Sequence, residues 1–280
     1  MVAVVTGGAS GIGESMAAEF VRRRLHVVLV DIDAVRLEET RAKLSGGTSR
    51  IFTVCVDLSQ DASVEQLRRE VERTAGSPNV LCANAGVHAA GGPIWLTRSA
   101  DWQWVWQVNV MGVVRTLQSL VPGMLLQQDP SHIVITSSIM GFAGGRTSVY
   151  GTSKHAVSRI AEGLHHDLIA VEAPIGVTLL CPGAVATHLM LSERNRPAHL
   201  SGNCDEMDGL AERTVAHQYF QTDGRAPSIV ASAAVDAIER NRFFAFPASD
   251  AAPHLEARLA DIREDRPPTL LPLAMTSQEP

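Results

Sequence analysis

Short apolar runs alternate with longer segments of helical pattern along most of this chain. The runs are VAVVT (2–6), HVVLVD (26–31), RIFTVCVD (50–57), NVLCAN (79–84), HIVITSS (132–138) and IGVTLLCPG (175–183). Strands that are apolar throughout are typical of a parallel sheet with helices on both faces, because both sides of each strand are then buried. The alternation therefore predicts an α/β fold built on a single doubly wound parallel sheet.

A glycine-rich segment, TGGASGIG (6–13), follows the first run and opens the next helix. Ligands of doubly wound sheets bind beyond the carboxyl ends of the strands, so such segments are the candidate binding elements. Gly7, Gly11 and Gly13 lack side chains, which permits a tight turn and a close approach of a pyrophosphate to the helix N-terminus. The spacing is GxxxGxG, and its place between strand and helix predicts a Rossmann-type dinucleotide site.

Asp31 ends the second run, 18 residues beyond Gly13. A carboxylate at this place accepts hydrogen bonds from the ribose hydroxyls of an adenosine and repels a 2′-phosphate. No arginine follows, since the next residue is Ile32. We therefore expect NAD as the cofactor in preference to NADP. The alternative role for Asp31 is to cap the next helix, a role that Asp33 fills at least as well.

The segment SVYGTSKHAV (148–157) places Tyr150 and Lys154 four residues apart at the start of a predicted helix. Residues at this spacing lie on one helix face. A nearby ammonium group favours the phenolate and lowers the pKa of a tyrosine from its usual value of about 10. The pair could therefore act as an acid/base, although a surface tyrosine beside a lysine is the alternative explanation.

Charge and composition exclude several classes of protein. The net charge of −6 comes from interspersed acidic and basic residues, which leaves no basic patch for nucleic acid. No apolar run approaches the roughly 18 residues of a membrane span, and the N-terminus lacks the basic region of a signal peptide. The cysteines form no CxxC pair, and we expect buried, reduced thiols in a cytoplasmic protein. The ten histidines form no metal-binding pattern, so no metal is expected.

Seven motifs occur in order from residue 2 to about residue 187. They are TGGASGIG, VDL (56–58), NAG (84–86), Asn109 within VNVMG, ITSSIMG, YGTSK and PGAVAT. Together they resemble the short-chain dehydrogenase/reductase family in its smaller, single-domain branch. The resemblance implies an NAD(P)-dependent oxidoreductase that transfers a hydride between a nicotinamide cofactor and a secondary alcohol or ketone. A non-catalytic, dinucleotide-binding regulator of the same fold is the alternative hypothesis.

The resemblance also implies a role for each matching residue. Tyr150 is the acid/base, Lys154 lowers its pKa and binds the nicotinamide ribose, and Asn109 keeps a water in a proton relay from Lys154. A serine hydrogen-bonds the substrate oxygen. The implied cofactor-binding residues are Gly7, Ser10, Gly11, Ile12, Gly13, Asp31, Asp57, Leu58, Asn84, Ala85, Gly86, Tyr150, Lys154, Pro182, Gly183, Val185 and Thr187.

Two adjacent serines compete for the catalytic position. The family's usual spacing of 13 residues before Tyr150 selects Ser137, whereas the local pattern SSxxG selects Ser138. We choose Ser138, because Gly141 fixes the local alignment and a one-residue deletion in the following loop is easily tolerated. Ser137 would point to the opposite side of an extended segment.

Substrate specificity is expected to come from segments that overhang the strand ends. Residues 188–227 are long for a connection, and such segments are usually lids or binding loops. We expect them to belong to a catalytic domain spanning residues 1–250, followed by a tail at 251–280 with a short helix. The candidate substrate residues are His88, Met140, Leu189 and Met190. Leu189, Met190, Tyr219 and Phe220 could form an apolar wall, which favours a hydrophobic or cyclic alcohol or ketone; the alternative is that they are ordinary core or interface residues of short helices.

The resemblance further implies an oligomer. In that family the helices matching those predicted at 100–127 and 150–172 pair with their copies in a neighbouring subunit. Residues 228–246 would form a second interface. A homotetramer is the leading expectation, with a dimer next.

Overall fold

The computed structural model describes residues 1–89, 93–127, 129–143, 148–201, 210–247 and 252–271. Its seven strands are β1 (Val2–Thr6), β2 (His26–Asp31), β3 (Ile51–Cys55), β4 (Val80–Ala83), β5 (Ser131–Thr136), β6 (Ile175–Leu180) and β7 (Phe244–Ala245). They form one parallel sheet in the order β3-β2-β1-β4-β5-β6-β7. The order reverses at β1 and β4, which places a ligand crevice at their carboxyl ends.

Helices cover both faces of this sheet, which confirms the predicted fold class. They are α1 (Gly11–Arg22), α2 (Ala34–Leu44), α3 (Ser63–Thr74), α4 (Ser99–Val105), α5 (Gly112–Gln127), α6 (Val149–Ala170), α7 (Leu210–Thr222), α8 (Pro227–Glu239) and α9 (Ala252–Arg263). Among the described helices, none combines the length and the hydrophobicity needed to cross a bilayer.

Successive strand residues point to opposite faces and build two cores. Val4 and Val28 belong to the core that includes residues of α3, α5 and α6. Val5 and Leu29 belong to the core on the other face, with residues of α1, α2 and α8. Full burial of one such side chain contributes about 1.5–3 kcal/mol. Both faces of the strands are therefore fixed, and with them the positions of the loops at the carboxyl edge.

Two expectations about local structure need correction, and one strand was not predicted. The helix predicted over 100–127 is interrupted by a π-helical segment, Trp106–Met111, which contains Asn109. Strand β7 is only two residues long, too short to be detected from an apolar run. Cys55 is exposed, whereas Cys82 and Cys181 are buried, and no disulfide joins any two of them. Cys204 lies outside the described residues.

Side-chain caps fix where two helices begin at the carboxyl edge. The Asp33 carboxylate accepts a hydrogen bond from Arg36 N at 3.1 Å and caps α2, as expected from the sequence. The Ser148 hydroxyl accepts a hydrogen bond from Gly151 N at 3.0 Å and caps α6. A side-chain acceptor satisfies backbone donors that have no partner within the helix. The cap of α6 thereby holds Tyr150 in the first helical turn.

Candidate active site

An open cleft lies at the carboxyl edge of the sheet, with an empty volume, including its solvent-open part, of about 1440 Å³. Most of the predicted site residues line it: Gly7, Ser10, Gly11, Ile12, Asp31, Asp57, Leu58, Asn84, Ala85, Gly86, Ser138, Tyr150, Lys154, Pro182, Gly183, Val185, Thr187 and Leu189. Gly13, His88, Asn109, Met140 and Met190 do not line it.

The glycine-rich turn has a backbone that few other residues could adopt. Gly7 and Gly11 have positive φ angles of 64° and 56°, a region in which side chains are strained. A Cβ atom on Gly13 would lie 2.0 Å from the carbonyl oxygen of Gly7, which is impossible without moving the backbone. Gly13 therefore allows the close backbone packing of the turn, although it does not line the cleft.

Asp31 presents its carboxylate to the cleft beside this turn. One oxygen accepts a hydrogen bond from Ala9 N at 3.2 Å, and the other accepts from Ile32 N at 2.8 Å and Asp33 N at 3.2 Å. Burial raises the pKa of Asp31 above its usual value, and these three hydrogen bonds act in the opposite direction. The carboxylate thus already binds the turn, and its remaining acceptor capacity faces the cleft.

A polar network that the sequence did not reveal joins the ends of three strands. Asn84 donates its side-chain amide to the carbonyl of Thr6 at 3.1 Å and accepts from the Thr136 hydroxyl at 3.0 Å. The Thr6 hydroxyl in turn accepts from Asn84 N at 2.9 Å. Thr6 and Thr136 are the last residues of β1 and β5, and that terminal position was the available signal. The network fixes the NAG segment against the glycine-rich turn.

Tyr150, Lys154 and Ser138 come together at the far end of the cleft. The Lys154 ammonium donates to the carbonyl of Thr136 at 2.7 Å and lies 5.7 Å from the centroid of the Tyr150 ring. The Ser138 hydroxyl is hydrogen-bonded to Tyr150. Helix α6 supplies the first two side chains and the end of β5 the third, so the two elements jointly place two hydroxyl groups and an ammonium at one site.

Burial controls the protonation of this pair. It raises the pKa of Tyr150 to about 12, with the Ser138 hydrogen bond acting in the opposite direction. It lowers the pKa of Lys154 to about 8. The expected lowering of the Tyr150 pKa by Lys154 is therefore wrong for this structure, because the cost of desolvating the phenolate is the larger effect. The phenol keeps its proton at neutral pH.

The two competing serines have different surroundings. The Ser137 hydroxyl donates to the carbonyl of Lys154 at 2.9 Å and lies 2.8 Å from the hydroxyl of Ser158, so it is bound to α6. The Ser138 hydroxyl accepts from Met140 N at 3.2 Å and bonds to Tyr150. The hydroxyl of Ser138 is thus the one positioned beside the phenol.

Asn109 is fully buried behind the cleft, in the π-helical segment. Its carbonyl oxygen accepts from Val87 N at 2.8 Å, and its amide donates to Val87 O and to the Ser153 hydroxyl, both at 3.0 Å. π-helical turns are rare in proteins, and those that occur are often found at functional sites. The side chain here clamps the loop after β4, a structural task that the sequence did not predict.

The remaining predicted substrate residues have varied positions. The ring of His88 lies 5.3 Å from the ring of Tyr150. Met140 packs near Gly151, and Met190 is buried. Phe220, named from the sequence as part of a possible apolar wall, lines the cleft. Residues not singled out from the sequence as site residues also line it: Trp104, Val108, Ser192, Arg194, Asn195 and Pro197. Most of them belong to residues 188–227, the segment expected from the sequence to be a lid and called the lid below; its residues 202–209 lie outside the described part of the chain.

The described residues contain no group of three or more His, Cys, Asp or Glu side chains that could bind a metal ion.

Comparisons with known proteins agree with this geometry. The family model described as short chain dehydrogenase matches residues 1–198. The chain is 34% identical over 209 residues to 1-deoxy-11-beta-hydroxypentalenate dehydrogenase of Streptomyces avermitilis, covering 73% of this chain and 77% of that protein. It is 29% identical over 272 residues to a CLA biosynthesis dehydrogenase/reductase of Lactiplantibacillus plantarum, covering 95% and 94%.

A solved structure is similar over nearly the whole length. It is a short chain dehydrogenase/reductase from Burkholderia phymatum in complex with NAD, with a TM-score of 0.90, 33% identity and 96% of each chain covered. With the matching family model, these similarities show that this chain belongs to the short-chain dehydrogenase/reductase family and is an oxidoreductase that acts on CH–OH groups.

Proposed function

We propose that this protein transfers a hydride between NAD and a secondary alcohol or ketone of hydrophobic or cyclic form. The observation that carries the proposal is the convergence of the Tyr150 phenol, the Ser138 hydroxyl and the Lys154 ammonium at one end of a dinucleotide cleft. A nicotinamide ring bound there would supply the hydride in one direction and accept it in the other.

The phenol and the serine hydroxyl have distinct tasks at the substrate oxygen. Reducing a ketone develops negative charge on that oxygen, so a proton donor and a second hydrogen-bond donor must meet there. Tyr150 keeps its proton at neutral pH and serves as the donor. Ser138 is the second donor. In the oxidative direction Tyr150 receives the proton from the alcohol.

Lys154 and Asn109 support these groups from behind. Lys154 binds the nicotinamide ribose through its ammonium, which is already directed to the strand end by the carbonyl of Thr136. A Cβ atom on Gly86 would lie 3.4 Å from the Asn109 side-chain oxygen and 3.5 Å from Lys154 Nζ. Both polar groups therefore approach the same glycine, which supports a proton relay between Lys154 and the region of Asn109.

Asp31 is the basis for preferring NAD. Its half-buried carboxylate would repel a 2′-phosphate and bind the ribose hydroxyls of NAD. We expect Asp31→Asn to shift the ratio of NADH to NADPH affinity toward NADPH by about tenfold, equivalent to about 1.4 kcal/mol. The matched control is Asp33→Asn, which removes a neighbouring carboxylate charge, can still cap α2 and leaves Asp31 in place. An unchanged ratio in Asp31→Asn would refute the assignment.

The substrate end of the cleft is apolar. Trp104 and Val87 form a hydrophobic cluster with Val149, the residue before Tyr150. Leu189 and Pro197 of the lid also line the cleft. Apolar walls with a few polar groups favour binding of uncharged, hydrophobic molecules. An alcohol or ketone with a bulky apolar or cyclic body fits this composition.

The chain offers a matched control for the central experiment, because it contains only two tyrosines, Tyr150 and Tyr219. We expect Tyr150→Phe to retain NADH binding, measured by fluorescence, and to lose about 10²–10⁴-fold in turnover of a cyclic ketone. Tyr219→Phe should retain both. Full activity in Tyr150→Phe would refute the proposed mechanism and favour a binding protein without this chemistry.

The serine assignment is tested by a second matched pair. Ser138→Ala should lower kcat strongly, because it removes a donor to the substrate oxygen. Ser137→Ala should lower stability, since its hydroxyl is bound to α6, and leave most of kcat. The reverse result would assign the catalytic position to Ser137.

We further propose a cytoplasmic homotetramer, with a dimer as the next possibility. Trp106 and Leu126, on the helical stretch expected to form an interface, are 40% and 85% exposed in the isolated chain. Association would cover such apolar side chains. Sedimentation velocity measures the state directly, and a monomer at micromolar concentration would refute it.

A further inference from the structure

Two arginines from distant parts of the chain line the cleft near Asp31. Arg36 lies in the first turn of α2, and Arg194 lies in the 3-10 segment Leu189–Asn195 of the lid. Partial desolvation lowers the pKa of Arg194, and the charge of Arg36 acts in the same direction, while Asp31 and Asp33 act against it. The two guanidinium groups are therefore close enough to repel each other.

Backbone oxygens, not carboxylates, hold the guanidinium of Arg194. Its Nη1 donates to the carbonyls of Leu191 at 2.8 Å and of His188 at 3.3 Å. Among the described residues no carboxylate pairs with it, whereas Arg196, two residues later, forms an ion pair with Asp101. A guanidinium group has five N–H donors in a fork that matches a phosphate. The Nε and Nη2 donors of Arg194 therefore remain available to an anion.

The contact with His188 brings this guanidinium close to the glycine-rich turn. His188 follows Thr187, and a Cβ atom on Gly11 would lie 3.0 Å from Thr187 Cγ2. Gly11 is the first residue of α1, and Ser10 before it makes no side-chain cap hydrogen bond. The first backbone N–H groups of α1 thus lack a side-chain acceptor, and in a dinucleotide-binding fold a phosphate group fills that role. The lid arginine therefore lies beside the helix end that is expected to bind the diphosphate.

We propose that Arg194 binds the diphosphate of the dinucleotide from the lid, and that Arg36 adds a second positive charge there. The negative charges of the diphosphate offset the repulsion between the two arginines. The 2′-phosphate of NADP is the other phosphate group to consider, but the carboxylate of Asp31 shares this part of the cleft and repels it. Because Arg194 belongs to the lid, the bound cofactor also fixes the segment expected to contact the substrate. The inference rests on the proposed function for the identity of the cofactor.

Binding measurements test the proposal without turnover. Arg194→Gln should raise the Kd of NADH, measured by fluorescence, and the Kd of ADP, measured by displacement of NADH, each by about tenfold, because a charge-assisted bond to phosphate is lost. The Kd of adenosine, which has no phosphate, should stay unchanged. Arg194→Lys should lie between, since it keeps the charge but not the fork. The control Arg159→Gln, on an exposed part of α6, should change none of these values.

Two further measurements separate phosphate binding from a purely structural role of Arg194. The tenfold factor in the Kd of NADH should fall to about threefold between about 0.05 and about 0.5 M NaCl, because salt screens the attraction between exposed charges. Saturating ADP should slow hydrogen exchange of residues 188–200 in the wild type, and should slow it less in Arg194→Gln. Exchange in α1 should slow equally in both proteins, since its backbone donors are unchanged.

The outcomes distinguish this inference from the proposed function. An unchanged Kd of ADP in Arg194→Gln refutes the diphosphate contact, and an equal rise for ADP and adenosine refutes it in favour of a structural role. NADPH is titrated in parallel, and a loss confined to NADPH would assign Arg194 to a 2′-phosphate and overturn the preference for NAD as well. Equal, tight binding of NADH by wild type and Arg194→Gln refutes this inference alone. A wild type that binds neither dinucleotide refutes the proposed function and this inference together.

Discussion

Replacing Lys154 by methionine should abolish turnover without lowering the stability of the protein at neutral pH. The ammonium is 3% exposed, and its pKa falls from the usual 10.5 to about 8 because of burial. A difference of 2.5 pH units corresponds to about 3 kcal/mol, by which the native state at neutral pH disfavours the charged lysine relative to the unfolded chain. Methionine has a similar length and no charge, so the variant avoids this cost.

The sign of the pH dependence follows from proton binding. Between about pH 8 and 10.5 the unfolded lysine is protonated and the native one is not, so this group makes the wild type more stable as pH rises. Below about pH 8 both forms are protonated and the full cost applies. By about pH 9.5 the wild type should have recovered about 2 kcal/mol of it. Lys154→Met lacks this gain.

The variant also loses one favourable contact. The carbonyl of Thr136 accepts from the ammonium at 2.7 Å, and leaving it unpaired costs about 1–3 kcal/mol. At about pH 7 we therefore expect the variant to be as stable as the wild type or up to about 2 kcal/mol more stable. At about pH 9.5 that advantage should be smaller by about 2 kcal/mol. Turnover should be lost at both pH values.

Urea unfolding of both proteins at the two pH values measures the difference. Tyr150 and the thiol of Cys82 titrate in both proteins, so their contributions cancel in the stability difference between wild type and variant. Burial raises the pKa of Cys181 to about 12 and Lys154 acts in the opposite direction, so the comparison should be repeated in a Cys181→Ala background. If the stability difference between the two proteins does not change with pH, the native state does not lower the pKa of Lys154, and the reasoning fails.

Three further predictions follow from the backbone and from burial. Gly13→Ala should weaken NADH binding by more than tenfold in a fluorescence titration, because its Cβ atom would lie 2.0 Å from a carbonyl oxygen of the turn. The control Gly163→Ala, whose nearest neighbour would be 3.6 Å away on the exposed side of α6, should instead stabilise the protein by about 0.5–1 kcal/mol. Asn109→Ala leaves the buried N–H and C=O of Val87 without partners and should lower the free energy of unfolding by about 2–5 kcal/mol in urea; a loss below about 1 kcal/mol would contradict the clamp. Burial lowers the pKa of His132 to about 4, so the unfolded chain binds the proton first and stability should fall by up to about 3 kcal/mol as the pH drops from about 6.5 toward 4; His132→Leu should be less sensitive to acid, and equal sensitivity would contradict the assignment.

The sheet and the glycine-rich turn were predictable because their signals are local. A strand buried on both faces needs an apolar run, and Gly7 at a positive φ angle needs a glycine, whatever the rest of the chain does. Tyr150 and Lys154 were detectable because helical spacing alone places them together. The cap at Asp33 was likewise visible in the sequence and is observed.

The remaining features depend on contacts between distant segments. The π-helical turn around Asn109 exists together with side-chain bonds to Val87, 22 residues earlier. Arg196 and Asp101 are 95 residues apart, and neither sits in a recognisable motif. The direction of the Tyr150 pKa shift depends on how deeply the phenol is buried. Local spacing carries no information about these quantities.

The placement of the lid has a consequence for how such an enzyme diversifies. The lid leaves the sheet after β6 and the chain returns to it at α8, whose contacts with α1 and β6 are made outside the lid. Tyr150, Lys154 and the glycine-rich turn lie on other elements. Substitutions and length changes between residues 188 and 227 can therefore alter which molecule is accepted while the hydride-transfer apparatus is inherited unchanged. Selection for a new substrate would act on one replaceable stretch of about forty residues.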